Sequence, residues 1–324
     1  MSGPSLTIPE LYCPFPASTF DDRPHPAAPD VSREIYALID DLDGGSSLLK
    51  DAAAGVVLGD FMGRIHPAAS PQGLGLAMMC ALLFFGHDDW IDQRDNRGQH
   101  LSPLELNESY DRALKVYDGD PALPSDPLIA RLLEHFGAMV RAFNRPADSL
   151  RIRMSLEGYL RTQVWELDVR SRREIPPLPV YQAMRRNITS SVLYFDLYPL
   201  ICDLHVPAGL LNHPVVQQLR LMHADYCSWA NDLLSLEKEL KEDGALNLAY
   251  VLQAERGLPL QQAIDAAAEM VRNLVIDYLG LKARLPHLGI PLTGALAELL
   301  DEQERAQSHF IAYQQRAPRF KGTP

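Results

Sequence analysis

Three aspartates, Asp88, Asp89 and Asp92, fall within five residues at the polar end of an apolar run from Leu74 to Phe85. A helix carried through them puts Asp88 and Asp92 at i,i+4 and Asp89 and Asp92 at i,i+3, so they project from neighbouring positions. Carboxylates gathered at the mouth of an apolar pocket repel one another unless a cation sits between them. Hard oxygen ligands in that arrangement suit Mg²⁺. A solvated acidic helix end is the plainer reading of the same stretch.

A second set of oxygen ligands stands at Asn231, Ser235 and Glu239. At i, i+4 and i+8 they form one stripe along a helix. The stripe offers an amide carbonyl, a hydroxyl and a carboxylate, again a set for a hard cation. Lys238 points to roughly the same side. A lysine beside Mg²⁺ is tolerated where an anion lies between them, and a diphosphate is such an anion. Leu233, Leu234, Leu236 and Leu240 give the segment an apolar side, so it also reads as an ordinary amphipathic helix.

The elements that must hold these residues are helices. From about Val31 onward strand signals nearly vanish, and apolar residues recur at helical spacing between proline and glycine breaks. The pattern predicts helices near 31–42, 47–64, 71–93, 104–117, 127–143, 147–171, 178–202, 212–241, 244–256, 259–284 and 292–315. Ser70 reads as an N-cap with Pro71 at the first helical position, and Pro214 plays a similar part later. Residues 1–30 are rich in proline and predict an extended arm. Leu11, Tyr12, Phe15 and Phe20 would lay that arm on the body. No repeat or low-complexity linker divides the rest, which predicts one all-α domain over 31–324 after the 1–30 arm.

An apolar fraction of 47% and a charged fraction of 22% in 324 residues can bury a sizeable core. The net charge of −12, without a dense basic run, argues against a nucleic-acid partner. An anionic substrate then needs a local positive site. Cys13, Cys80, Cys202 and Cys227 form no CxxC pair, which fits a reducing cytosol. With no signal-peptide pattern and no stretch that reaches transmembrane length, a cytoplasmic protein is expected. Zinc-protease, di-iron, P-loop and dinucleotide motifs are absent from the sequence. His87 is set aside as a ligand because Mg²⁺ prefers oxygen.

Asp88-Asp89-Trp90-Ile91-Asp92 followed by Asn231-Asp232-Leu233-Leu234-Ser235-Leu236-Glu237-Lys238-Glu239 resembles the bacterial class I terpene synthases. Chain length, helical content and the separation of the motifs extend the resemblance over nearly the whole chain. It implies a single-domain class I terpenoid synthase α-helical bundle around a central apolar active-site cup. The two motifs would face each other across its mouth and hold three Mg²⁺ ions and the substrate diphosphate. The resemblance further implies Mg²⁺-dependent ionisation and cyclisation of a linear isoprenoid diphosphate, with farnesyl diphosphate to a sesquiterpene as the first choice. Relatives in the family are often homodimers.

The resemblance also places further residues. Arg185, 46 residues before Asn231, stands where the family has a diphosphate-sensing arginine, with Arg186 as the competing choice. Arg319-Phe320 stands where the family has an Arg-Tyr pair; Arg319 can donate to a phosphate, but Phe320 lacks the hydroxyl. Thr189 lies where a helix break frees carbonyls toward the forming carbocation, and is assigned a catalytic role with Arg185. Phe84, Phe85, Cys227, Ser228 and Tyr313 are expected to line the pocket. Geranyl or geranylgeranyl diphosphate remain alternative substrates. A chain-elongating prenyltransferase would ordinarily carry a second aspartate-rich motif in place of Asn231, Ser235 and Glu239. A non-catalytic helical interaction protein is the remaining alternative.

Overall fold

Ser70 accepts a hydrogen bond from the Gly73 amide at 3.0 Å, and Pro71 follows it as the first residue of a 26-residue helix. Proline costs nothing there, because the first amides of a helix have no partner within it. From Leu74 to Leu83 this helix is buried all round. A helix without a polar face must sit inside the bundle, and the others pack about it.

The computed structural model describes residues 6–15, 23–43, 47–96, 101–240 and 246–314. Among these the helices are α1 Ala28–Asp43, α2 Leu48–Gly55, α3 Leu58–Ile65, α4 Pro71–Asn96, α5 Pro103–Asp118, α6 Leu128–Ala142 and α7 Pro146–Ser171. They continue as α8 Leu178–Ile188, α9 Ser191–Ile201, α10 Ala208–Leu211, α11 Pro214–Glu239, α12 Leu248–Arg256, α13 Leu260–Arg284 and α14 Gly294–Gln314. No β-strand occurs among the described residues, so the all-α reading holds. Helix α4 packs against α1, α2, α3, α6 and α9. Helix α11 packs against α8, α9, α12, α13 and α14.

Two predicted helices are each broken. The 47–64 span is α2 and α3, parted at Val56 and Val57, where Val57 takes a left-handed φ of 46°. A β-branched residue resists that conformation, so hydrophobic spacing alone carries no sign of the break. The 178–202 span is α8 and α9, parted at Thr189 and Ser190, with Ser190 left-handed at φ 58°. The predicted 244–256 helix begins at Leu248, and residues 241–245 lie outside the described part.

The expectation that no stretch is membrane-length needs amending. Pro71–Ile91 is long and apolar enough by composition, with a mean hydropathy of 1.3. Two thirds of that window (67%) is buried inside the fold, so its apolarity is spent on the core. In the N-terminal arm, the Thr7 amide and carbonyl pair with the Gln261 side chain at 2.9 and 2.8 Å. Phe15 is buried edge-on to Tyr226 and Tyr278.

Candidate active site

Helices α3, α4, α7, α9, α11 and α14, with the α8–α9 break, enclose a cavity of about 290 Å³. Helix α4 brings Phe84 and Phe85 to its wall and Asp88, one turn further, to its exposed end. Helix α11 contributes a stripe at four-residue spacing: His223, Cys227, Asn231, Ser235 and Glu239, with Lys238 beside the last. Thr189 lines the wall at the α8 terminus. The fold thus brings Asp88, Asn231, Ser235, Glu239, Lys238, Arg185, Thr189, Phe84, Phe85 and Cys227 onto one cavity.

Other expected residues fall elsewhere. Asp89 is half-buried and is not among the lining side chains, as expected for the next position 100° round the helix. The Asp92 side chain, Arg319 and Phe320 lie outside the described residues. Ser228 is fully buried behind the wall, donating to the Ala224 carbonyl at 2.7 Å and meeting the Thr189 hydroxyl at 2.6 Å. Tyr313 stands off the cavity because its hydroxyl donates to the Val56 carbonyl at 2.7 Å and its ring stacks on Phe61 at 4.4 Å. Neither Ser228 nor Tyr313 lines the pocket as expected.

Arg185 and Arg186 have separate jobs. Arg186 forms a two-point pair with Asp225, both contacts at 2.9 Å, and does not line the cavity. Arg185 lines it. Its Nε donates to Asp232 at 2.8 Å, and its Nη2 reaches Asn231 Oδ1 at 3.4 Å. Asp232 is fully buried and also accepts from the Tyr181 hydroxyl and the Leu248 amide. Burial raises the Asp232 carboxyl, while Arg185 and these donors favour its charged form. The aspartate within the second motif therefore faces away from the cup and holds Arg185.

A second support acts on Glu239. Asn247 Nδ2 donates to Glu239 at 2.8 Å and to the Asp232 carbonyl at 2.6 Å, while its Oδ1 caps α12 through the Ala249 amide at 2.9 Å. Ser235 Oγ lies 2.6 Å from Glu239 Oε1 and 2.7 Å from the Asn231 carbonyl. Burial pushes the Glu239 carboxyl up to about 7, against the pull of Arg185. A cation beside it would favour the charged form.

The donor set fits a hard divalent metal. Asp88, Asn231, Ser235 and Glu239 offer only oxygen, from two helices. Among the described residues no three His, Cys, Asp or Glu side chains converge, so a metal held here would need the Asn231 amide, the Ser235 hydroxyl and oxygens of a bound ligand as well. His87 is not available to such a metal. Its two nitrogens meet Tyr159 and Tyr110 at 3.0 and 2.9 Å, and burial lowers it to about 4.

Sequence reading passed over a stripe on α7: Tyr159, Gln163, Glu166 and Arg170 all line the cavity. Their spacing of four, three and four residues is a helical face, and that was the available signal. Gln163 donates to the Ile188 carbonyl at 3.1 Å, at the α8 end. The Glu166 carboxyl is raised by burial and pulled back by Arg170 and Arg185.

The family model for terpene synthase family 2, C-terminal metal binding, matches residues 79–277, more than half of the chain and a span that includes both Asp88 and the Asn231–Glu239 stripe. This chain is a terpene synthase. The synthase is 32% identical over 220 residues to a (+)-eremophilene synthase of Sorangium cellulosum, covering 68% of this chain and 66% of that one. It is 26% identical over 290 residues to a (2E,6E)-farnesyl diphosphate-cyclizing 4-epi-cubebol synthase of Streptosporangium roseum, covering 88% and 84%. Its fold matches a 2-methylisoborneol synthase of Streptomyces coelicolor, solved with Mg²⁺ and 2-fluoroneryl diphosphate. That match has a TM-score of 0.79 and 18% identity, over 100% of this chain and 99% of the other.

Proposed function

We propose that this terpene synthase ionises and cyclises farnesyl diphosphate, releasing diphosphate and a sesquiterpene. The observation that carries this reading is one apolar-walled cavity with Asp88, Asn231, Ser235 and Glu239 beside the cations Arg185 and Lys238. The two relatives named above are a synthase of eremophilene and a synthase that cyclises farnesyl diphosphate.

In this reading Asp88, Asn231, Ser235 and Glu239 would hold Mg²⁺, three ions in all, with Asp89 and Asp92 of the first motif completing the set from outside the lining described above. When bound, Mg²⁺ supplies the positive charge that makes diphosphate a competent leaving group. Arg185 and Lys238 donate to the phosphate oxygens, joined by Arg319 from the C-terminal segment. The allylic C–O bond then breaks without a protein nucleophile. Phe84 and Phe85 on the wall supply aromatic rings that could stabilise the cation, and the walls exclude water. Thr189, bonded to the Arg185 carbonyl at 3.1 Å, holds the α8–α9 break at the reacting end. The four cysteines are free thiols, in keeping with a reducing compartment.

The test is incubation with geranyl, farnesyl and geranylgeranyl diphosphate separately, each with Mg²⁺ and no second substrate. Diphosphate release and a cyclic C15 product from farnesyl diphosphate are expected. Folded protein that turns over none of the three, or only extends a chain when a homoallylic partner is added, would overturn the reading.

A further inference from the structure

His223 lies eight residues before Asn231 on α11, so it sits about 12 Å deeper along the cavity than the oxygen ligands. Phe195 of α9 stands edge-on to its ring, with centroids 5.2 Å apart. From α14, Gln307 donates to the His223 carbonyl at 3.1 Å and lies 3.4 Å from Cys227 Sγ. These contacts fix the backbone and the ring edge at the cavity floor. They leave the imidazole nitrogens alone.

Nδ1 of His223 is fully buried and has no hydrogen-bond partner. The other buried histidines among the described residues are held. His25 Nε2 meets the Ala69 carbonyl at 3.0 Å, His66 Nε2 meets the Tyr194 hydroxyl at 2.7 Å, and His87 is held at both nitrogens. A buried polar atom left unmatched costs stability, and in native proteins such an atom calls for an explanation that includes catalysis. A neutral imidazole always carries one lone pair on nitrogen. Nδ1 is closed off from the cavity itself, so the lone pair offered to a substrate is the one on Nε2, which no protein donor among the described residues occupies.

We infer that His223 ends the reaction, taking a proton from the carbon beside the last carbocation so that the product leaves as an alkene. The inference rests on the cyclase reading above. The C–H bond breaks and its electron pair becomes the new C=C bond to the cationic carbon. The proton bonds to the imidazole lone pair, the positive charge moves from carbon to the ring, and no oxidant or co-substrate is consumed. The proton passes to water when the product departs. Burial lowers the His223 ring to about 3, so it is neutral when the substrate enters and gives up its proton readily afterwards. So weak a base suffices because a C–H bond next to a carbocation is an extremely strong acid. The diphosphate, held at the Arg185 end, is too far away to serve a cation formed at the distal end of the chain.

The test compares the full-length wild type with His223→Phe and His223→Asn, using farnesyl diphosphate and Mg²⁺. His223→Phe keeps the ring and its edge contact with Phe195, and His223→Asn keeps a polar group. Diphosphate release should continue in both, at no less than about a tenth of the wild-type rate. The main alkene should fall at least about ten-fold in share, replaced by alkenes with a shifted double bond or by alcohols from water capture. Added imidazole should restore the original alkene in His223→Ala. The inference is overturned if a folded variant keeps the wild-type product ratio. A wild-type product that is itself an alcohol carrying oxygen from labelled water overturns it equally. Both outcomes include diphosphate release, so they are distinct from a failure of the cyclase reading, in which the wild type releases none.

Discussion

Arg185 donates its Nε to Asp232 Oδ1 at 2.8 Å, and Asp232 is wholly shut away from solvent. The polar stripe of α11 and the cavity-facing Arg185 are thus tied together by adjacent residues, since Asn231 faces the cavity while Asp232 faces Arg185. Asp232→Ala leaves a buried guanidinium unpaired and should cost about 3–5 kcal/mol of stability. Asp232→Asn keeps the shape and loses the charge, and should lower kcat/KM about 10²-fold through a misplaced Arg185. Chemical unfolding and steady-state diphosphate release read the two effects separately.

Asn247 joins Glu239, the Asp232 carbonyl and the start of α12 through one amide. Asn247→Ala should cost about 1 kcal/mol as a lost helix cap. It should also raise the Mg²⁺ concentration needed for half-maximal activity by about 10–100-fold, as loss of ligand support does elsewhere. A lower melting temperature with an unchanged Mg²⁺ requirement would mean that Asn247 is only a cap.

Chelation with EDTA should abolish turnover and added Mg²⁺ should restore it, with the helical circular dichroism unchanged throughout. Ser235 and Asn247 both donate to the Glu239 carboxylate, protein contacts that should hold the ends of α11 and α12 when the metal is removed. Asp88→Ala, Asn231→Ala and Ser235→Ala should each weaken the Mg²⁺ response.

His66 is buried, paired with Tyr194 and lowered by burial to about 3, while the unfolded ring titrates near 6.5. The unfolded chain therefore binds this proton first. The stability contribution is fully present above pH 6.5 and is lost as pH falls toward 3, by up to about 1.4 kcal/mol per pH unit. His223, also about 3, acts in the same sense. Glu239, raised to about 7, acts oppositely, because its protonated form is favoured in the fold. The clean measurement is a difference: between pH 6.5 and 4.5 the urea midpoint of His66→Phe should fall less steeply than that of the wild type.

Gly73 lets the start of α4 meet the end of α9. A methyl group there would lie 2.0 Å from the Ile201 carbonyl oxygen, beside the Ser70 amide bond to that same oxygen at 3.1 Å. Gly73→Ala should destabilise by about 1–3 kcal/mol or more. Thermal unfolding checks it, and an unchanged midpoint would show that the two helices can part without cost.

Helical content, the order of the long helices and the Ser70-Pro71 start were legible because they depend on local spacing and capping. The stripe of Asn231, Ser235 and Glu239 was legible for the same reason, since i,i+4 periodicity puts them on one face whatever the surroundings. The breaks at Val57 and Ser190 were not, because neither position carries the glycine that a left-handed turn normally uses. Tyr313 and Ser228 have plausible spacing for the pocket, but hydrogen bonds to Val56 and to Ala224 turn them away from it.

The sequence by itself determined the chemical types in the cup and the helical face each occupies, because these follow from 100° per residue along one element. Only the tertiary structure decided which of two adjacent arginines enters the cup. Asp232 beside the cavity takes Arg185, and Asp225 outside it takes Arg186. It also decided that His223 keeps a buried nitrogen unclaimed, whereas the partners of the His66 and His87 rings come from helices distant in sequence. Those choices depend on how α7, α8, α9 and α11 pack, and no spacing within one helix encodes them.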